Sequence, residues 1–210
     1  MTFDHLISYL QERLQQALPG RQAHNLMISS VRLNEFYSIP EDAKKSSVLV
    51  LLYEKDASIK TVFILRPQYD GVHSNQVSFP GGGFKKSDIS LEKTALRETQ
   101  EEIGVDSARI QIIGGLSELY IPPSNFLVKP FVGYTKDIGF LTPDVHEVER
   151  IVEADLKNFI GSHNIKMRKI KVRSGLEFDT PYYDVSSLII WGATAMILRE
   201  FGEVCIGIEL

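Results

Sequence analysis

The chain has 210 residues, is 43% hydrophobic, and carries 23 Lys and Arg against 27 Asp and Glu, for a formal net charge of −4. That apolar share over this length can bury a substantial core and argues against a disordered chain. The negative balance argues against a nucleic-acid binder that works through a basic surface.

The single cysteine, Cys205, cannot form an internal disulfide, which points to a reducing compartment, and its apolar neighbours suggest an inert thiol. The N-terminus has no uninterrupted apolar stretch of the kind a signal peptide needs, and the run Val48–Tyr53 is far too short to span a bilayer. The expectation is a cytoplasmic protein without membrane or nucleic-acid partners.

Phe3, Leu6, Ile7, Leu10, Leu14 and Leu18 recur at three- and four-residue steps, predicting an amphipathic helix over about residues 2–18, closed by Pro19-Gly20. Its apolar face can pack on its own domain or on a second chain. Residues 21–45 are mixed and polar and read as a linker. Ser47–Tyr53 and Ser58–Leu65 read as strands around the charged turn Glu54-Lys55-Asp56, and Gln76–Phe79 as a short extended piece.

Leu91–Ile103 reads as a helix, with Asp88 or Ser90 as its cap and Gly104 as its stop. Ile110–Ile113 and Phe126–Val132 read as strands. Val145–Ile160 fits either a helix or a strand followed by a short helix at Asp155. Ile165–Val172 and Leu176–Tyr183 suggest a hairpin around Ser174-Gly175, and Leu188–Phe201 a final helix holding Trp191 in the core. The elements describe one mixed α/β domain over residues 1–210, without repeats.

The chemistry is concentrated in Gly81-Gly82-Gly83 and Arg97-Glu98-Thr99-Gln100-Glu101-Glu102-Ile103-Gly104-Val105. On a helix, residues three and four apart share a face, so Glu98 projects beside Glu101 and Glu102. Like charges at that spacing oppose folding by a few tenths of a kcal/mol per pair, so the cluster makes sense chiefly around a divalent cation. Arg97 can fork onto a neighbouring carboxylate and fix its rotamer. The glycines permit close approach of backbone to metal and phosphate.

This segment resembles the Nudix box, G-x5-E-x7-R-E-U-x-E-E-x-G-U, with U a bulky apolar residue. Gly83, Arg97, Glu98, Glu101, Glu102, Gly104 and Val105 match. Thr99 stands where a larger apolar residue is usual. The loop-glutamate position is Ile89, with Asp88 just before it, which leaves open whether Asp88 substitutes. The resemblance implies an α/β/α sandwich around a mixed sheet. It implies hydrolysis of a nucleoside diphosphate derivative with Mg²⁺ or Mn²⁺ held by Glu98, Glu102 and Glu101, and a carbonyl near Gly82. The catalytic set would be Glu98, Glu101, Arg97 and Glu147, with the general base open among Glu98, Glu101 and Glu147.

Upstream, Arg66, His73 and the run Gln76-Val77-Ser78-Phe79-Pro80-Gly81-Gly82 are similar to the segment that precedes the box in coenzyme A pyrophosphatases. That similarity implies coenzyme A or its derivatives as substrate, contacted by Arg66, His73, Gln76 and Ser78. Asp70-Gly71 stands where Leu-Arg is usual, and Lys85, Lys86 or Lys129 could replace the missing charge. Other readings are a Nudix hydrolase of ADP-ribose or NADH, and a non-catalytic binding module. The resemblance and the apolar N-terminal helix leave a homodimer open.

Overall fold

A computed structural model describes residues 1–28, 39–70, 73–171, 175 and 177–208. The main sheet is built on the long strand β1 (Lys44–Lys55). It pairs antiparallel with β2 (Ser58–Leu65) and parallel with β7 (Phe126–Tyr134), so the sheet is mixed. β3 (Val77–Ser78) and β8 (Arg150–Asp155) pair with β2, while β5 (Gln111–Gly115) and β6 (Leu119–Ile121) pair with β7. The triglycine forms a strand of its own, β4 (Gly81–Gly83), antiparallel to β1 with Ser46 opposite Gly83 and Val48 opposite Gly81.

Side chains alternate across a strand, and β1 uses both faces. Leu49, Leu51 and Tyr53 point to one side, where Val62 and Ile64 of β2 join Ala95, Leu96 and Ile103 of helix α3 (Leu91–Ile103). Val50 and Leu52 point to the other side. There they meet Phe63 and Leu65, with helices α1 (Phe3–Arg13) and α4 (Gly192–Val204) above them. The layers are helix, sheet, helix, the expected α/β/α sandwich. A smaller antiparallel sheet, in the order β11 (Leu188–Trp191), β10 (Glu177–Val185), β9 (Ile165–Lys171), adjoins α4.

Several sequence expectations change. α1 stops at Arg13, although Leu14 stays buried and Leu18 still packs on the core. Leu14 lies so close to Gly114 that a Cβ there would meet its own at 2.7 Å, and the Arg13 guanidinium satisfies the Ala17 carbonyl at 2.9 Å. Phe3, Leu6, Ile7 and Leu10 are buried in their own core, which removes the support α1 lent to a homodimer.

The presumed linker contains a short helix, α2 (Arg21–Asn25), held by the buried Glu200 carboxylate. Glu200 accepts from the Gly20 amide at 3.1 Å and pairs with His24 at 2.9 Å, a tertiary contact that local pattern cannot reveal. Residues 29–38 of that segment lie outside the described residues.

The ambiguous stretch after Val145 resolves into strand β8 and a 3₁₀ turn, Leu156–Phe159. The expected hairpin is β9 and β10, with Val172, Ser174 and Leu176 outside the described residues. The final helix is split. Leu188–Trp191 pairs with β10, and Gly192, at φ +61°, turns the chain into α4. A short apolar run cannot be told from a helix turn by periodicity alone, which explains the error.

Candidate functional site

The site is assembled along the C-terminal half of α3, which packs against β4. Ser90 caps this helix by accepting from the Lys93 amide at 3.2 Å, and Gly104 ends it in the left-handed conformation at φ +75°. Thr99, buried on the packing side, returns its hydroxyl to the Ala95 carbonyl at 2.7 Å, so the smaller polar residue is accommodated.

Adjoining this packed side, Glu98 and Glu102 lie one turn apart, both buried. Glu147 reaches the same point from a loop. Asp144 fastens that loop by donating its amide to the Glu102 carbonyl at 3.1 Å. Val148 plugs the α3-side core, and the Glu149 amide binds the Leu65 carbonyl at 2.9 Å. Ligand oxygens of Glu98, Glu102 and Glu147 all lie within 4.8 Å of one another. Glu101 stands apart from this trio and is half exposed, 2.8 Å from Arg97 and 3.7 Å from Lys85.

Arg97 sits behind the carboxylates rather than in front of them. Its Nε and Nη2 donate to the two oxygens of Asp88 at 2.6 and 2.9 Å. Nη1 donates to Glu98 at 2.7 Å and Glu101 at 2.8 Å, and Nη2 also reaches the Gly83 carbonyl at 3.2 Å. Asp88 takes the Lys85 amide and the Thr94 hydroxyl as well, at 2.8 and 2.9 Å. Arg97 above all holds the Asp88 carboxyl well below the usual range, so it stays ionised.

Asp88 therefore fills the open loop position in this chain. Ile89, the formal match, is 90% exposed and sits at φ +67°, a strained geometry for a β-branched residue that turns the neighbouring carboxylate inward.

Glu102 is 1% exposed. One of its oxygens accepts the Gly81 amide at 2.8 Å, and the other faces the Arg66 guanidinium at 3.5 Å. Burial pushes its carboxyl up to about 8. Arg66 and the Gly81 amide pull it down, and the negative charges of Glu98 and Glu147 push it up again. Glycine at position 82 leaves room for the Glu98 carboxylate, since a Cβ there would lie 2.5 Å from the Glu98 carboxyl carbon.

The donor set fits a hard divalent cation. Three carboxylates offer oxygen ligands that all lie within 4.8 Å of one another, and an Mg²⁺ ion with bonds of about 2.1 Å spans at most about 4.2 Å between ligands, which fits inside that limit.

The trio forms part of the wall of a cleft of about 1090 Å³, which is ample for a nucleotide-sized ligand. Arg66, His73, Gln76 and Ser78 all line it. His73 Nδ1 is 3.2 Å from the side-chain Oε1 of Gln76, and burial holds its imidazole below the ordinary value. The Ser78 hydroxyl is buried, with no hydrogen-bond partner among the described residues.

Of the lysines considered from sequence, Lys85 lines the cleft, whereas Lys129 donates to the Leu116 carbonyl at 2.8 Å. Two lining residues were not anticipated. Lys171 lies on β9, an ordinary charged strand by sequence. Trp191, expected in the core, is only partly buried at the end of β11 and lines the cleft.

With this geometry in hand, the comparisons are decisive. Residues 43–159, more than half of the chain, match the NUDIX domain model. The chain belongs to the Nudix family. An Arabidopsis thaliana Nudix hydrolase 15, mitochondrial, is 30% identical over 168 residues, covering 77% of this chain and 58% of the relative. A Mus musculus mitochondrial coenzyme A diphosphatase is 29% identical over 128 residues, covering 60% and 61%. The chain thus matches less than two thirds of the length of either relative. Among solved structures, a Nudix hydrolase from M. smegmatis superposes with a TM-score of 0.55 at 13% identity, over 80% of this chain and 89% of that one, and shares the fold. The Nudix box is the segment that here carries Glu98, Glu101 and Glu102, while Glu147 lies outside it.

Proposed function

We propose that this Nudix chain hydrolyses the pyrophosphate bond of coenzyme A or its derivatives, releasing 3′,5′-ADP and (acyl-)4′-phosphopantetheine. The observation that carries the reading is the convergence of Glu98, Glu102 and Glu147 in the wall of the cleft that Arg66, His73, Gln76 and Ser78 also line. Glu98, Glu102 and Glu147 would hold Mg²⁺ or Mn²⁺, with the Gly82 carbonyl as a further donor. When bound, the ion supplies positive charge to phosphate oxygens and acidifies a water.

The chain's own residues do the rest. Arg97, locked on Asp88, fixes Glu98 and Glu101 in single rotamers. Glu101, half exposed beside the trio, is the carboxylate left to accept a proton from the attacking water. Glu98 and Glu147 are the other bases the site offers. Arg66 and the largely neutral His73 face the substrate, and Lys85 and Lys171 offer charge for an additional phosphate. We read residues 1–210 as one domain, acting in the cytoplasm on a small-molecule nucleotide.

A second reading has an observation behind it. Asp70 lines the cleft where the coenzyme A signature has Leu-Arg, which favours a nucleoside diphosphate derivative without an extra phosphate, such as ADP-ribose or NADH. Comparing kcat/KM for coenzyme A, dephospho-coenzyme A, ADP-ribose and NADH with Mg²⁺ separates the two. The first reading expects coenzyme A to lead by at least about tenfold. Faster turnover of ADP-ribose or NADH rejects it.

A further inference from the structure

Two guanidinium groups touch the carboxylate trio, and they are held very differently. Arg97 makes five hydrogen bonds, two of them to the buried Asp88 carboxylate, and has nowhere to go. Among the described residues, Arg66 hydrogen-bonds the site through one nitrogen, at 3.3 Å to the Gly81 carbonyl and 3.5 Å to Glu102 Oε1. Its side chain is 25% exposed and borders the cleft, while Glu102 is 1% exposed. Its backbone is firm, because the Arg66 amide donates to the Gln76 carbonyl at 3.0 Å. The guanidinium can therefore move without the strand moving.

From this contrast we infer that Arg66 is an exchangeable counter-ion, which pairs with the ionised form of Glu102 while the trio holds no cation and turns to the substrate's phosphates once a cation arrives. The physical reason is charge balance. Glu98 has Arg97 as a permanent partner, and Glu147 has no cation within ion-pair distance among the described residues. Glu102 is the most deeply buried of the three, and among the described residues Arg66 is the cation within ion-pair distance of it. A divalent cation bonded to Glu102 satisfies that carboxylate and repels the guanidinium. An anhydride in the cleft then gives Arg66 the bidentate oxygen partners that its fork suits best. Arg66 thus opposes the ion when it binds alone and favours it when it binds with phosphate, which couples the two ligands.

The inference rests on the trio being a cation site, and a binding measurement keeps the two claims apart. Mn²⁺ affinity is measured by titration calorimetry for the wild type and for Arg66→Gln, each without and with methylenediphosphonate, a non-cleavable anhydride analogue. Without the analogue, Arg66→Gln should bind Mn²⁺ about three- to tenfold more tightly, the worth of a partly exposed ion pair. With the analogue, the order should reverse. A purely structural arginine would weaken both, so a variant that binds Mn²⁺ equally or less tightly without the analogue overturns the inference and leaves the trio standing. Absence of Mn²⁺ binding in the wild type overturns both.

Should Arg66→Gln fail to fold, the wild type labelled with ¹⁵N-arginine gives the answer. Mg²⁺ alone should speed hydrogen exchange at the Arg66 side chain and leave Arg97 protected. An unchanged Arg66 signal contradicts the exchange.

Discussion

Asp88 shows how much a single side chain determines here. It is buried, ionised and shared by Arg97, Thr94 and the Lys85 amide. Removing one partner of a buried pair strands the other, so Asp88→Ala should cost about 3–5 kcal/mol in urea unfolding. It should also slow turnover, because Arg97 then loses the anchor that positions Glu98. Gly82→Ala should behave in the opposite way. The new methyl meets only the end of the Glu98 side chain, so stability should change by about 1 kcal/mol or less. The carboxylate, however, must leave its place, and displacement by about 1 Å is worth up to about a hundredfold in rate. A Gly82→Ala enzyme with normal activity and a lowered melting point contradicts that account.

Glu102 gives a pH prediction at the same scale. Its carboxyl sits at about 8 in the fold, against an ordinary value of 4.5. Between those values the folded chain binds a proton that the unfolded chain does not. Without metal, stability contributed by this group is therefore intact below about pH 4.5 and falls as pH rises toward 8, by at most about 1.4 kcal/mol per pH unit. A divalent cation takes the proton's place. The melting-temperature gain from Mg²⁺ should thus grow from about pH 6 to about pH 8.5, and a gain that is flat or shrinks over that range speaks against the assignment.

Among the elements, α3 is the most legible in sequence, because cap, apolar stripe and terminal glycine agree on Leu91–Ile103. β4 is the least legible. Three glycines have poor strand propensity, yet only glycine fits at Gly81, where a Cβ would lie 2.3 Å from the Ser47 carbonyl. The trio was partly legible for a related reason. Glu98 and Glu102 share a helix face by spacing, but Glu147 joins them through a loop fastened at Asp144 and Val148, which no local pattern encodes.

α1 belongs to the same core as the main sheet, with Leu10 fully buried in it. Leu10→Ala should lower stability by about 2–5 kcal/mol as a cavity mutation, independent of protein concentration. A loss that vanishes as concentration rises would instead place this face at an interface between copies.

At the scale of the molecule, opposite charges meet across one cleft. Four acidic side chains, Glu98, Glu101, Glu102 and Glu147, line part of it, and Lys171 closes the basic strand β9, which also carries Lys166, Arg168 and Lys169. An anionic substrate suits this arrangement once a cation neutralises the acidic wall. Lys171 has no ion-pair partner among the described residues, so Lys171→Gln should lower kcat/KM for coenzyme A by about three- to tenfold and leave dephospho-coenzyme A unchanged. Equal losses for both substrates exclude a specific contact with the extra phosphate.

Metal-assisted cleavage of coenzyme A by the carboxylates gathered on α3 is tested most directly by the release of 3′,5′-ADP from coenzyme A in the presence of Mg²⁺, followed by mass spectrometry for the wild type and for Glu98→Gln. The wild type should release 3′,5′-ADP and 4′-phosphopantetheine in equal amounts and only with metal, and the variant at least about a hundredfold more slowly. Release that proceeds equally fast in Glu98→Gln, or no metal-dependent release by the wild type, contradicts it.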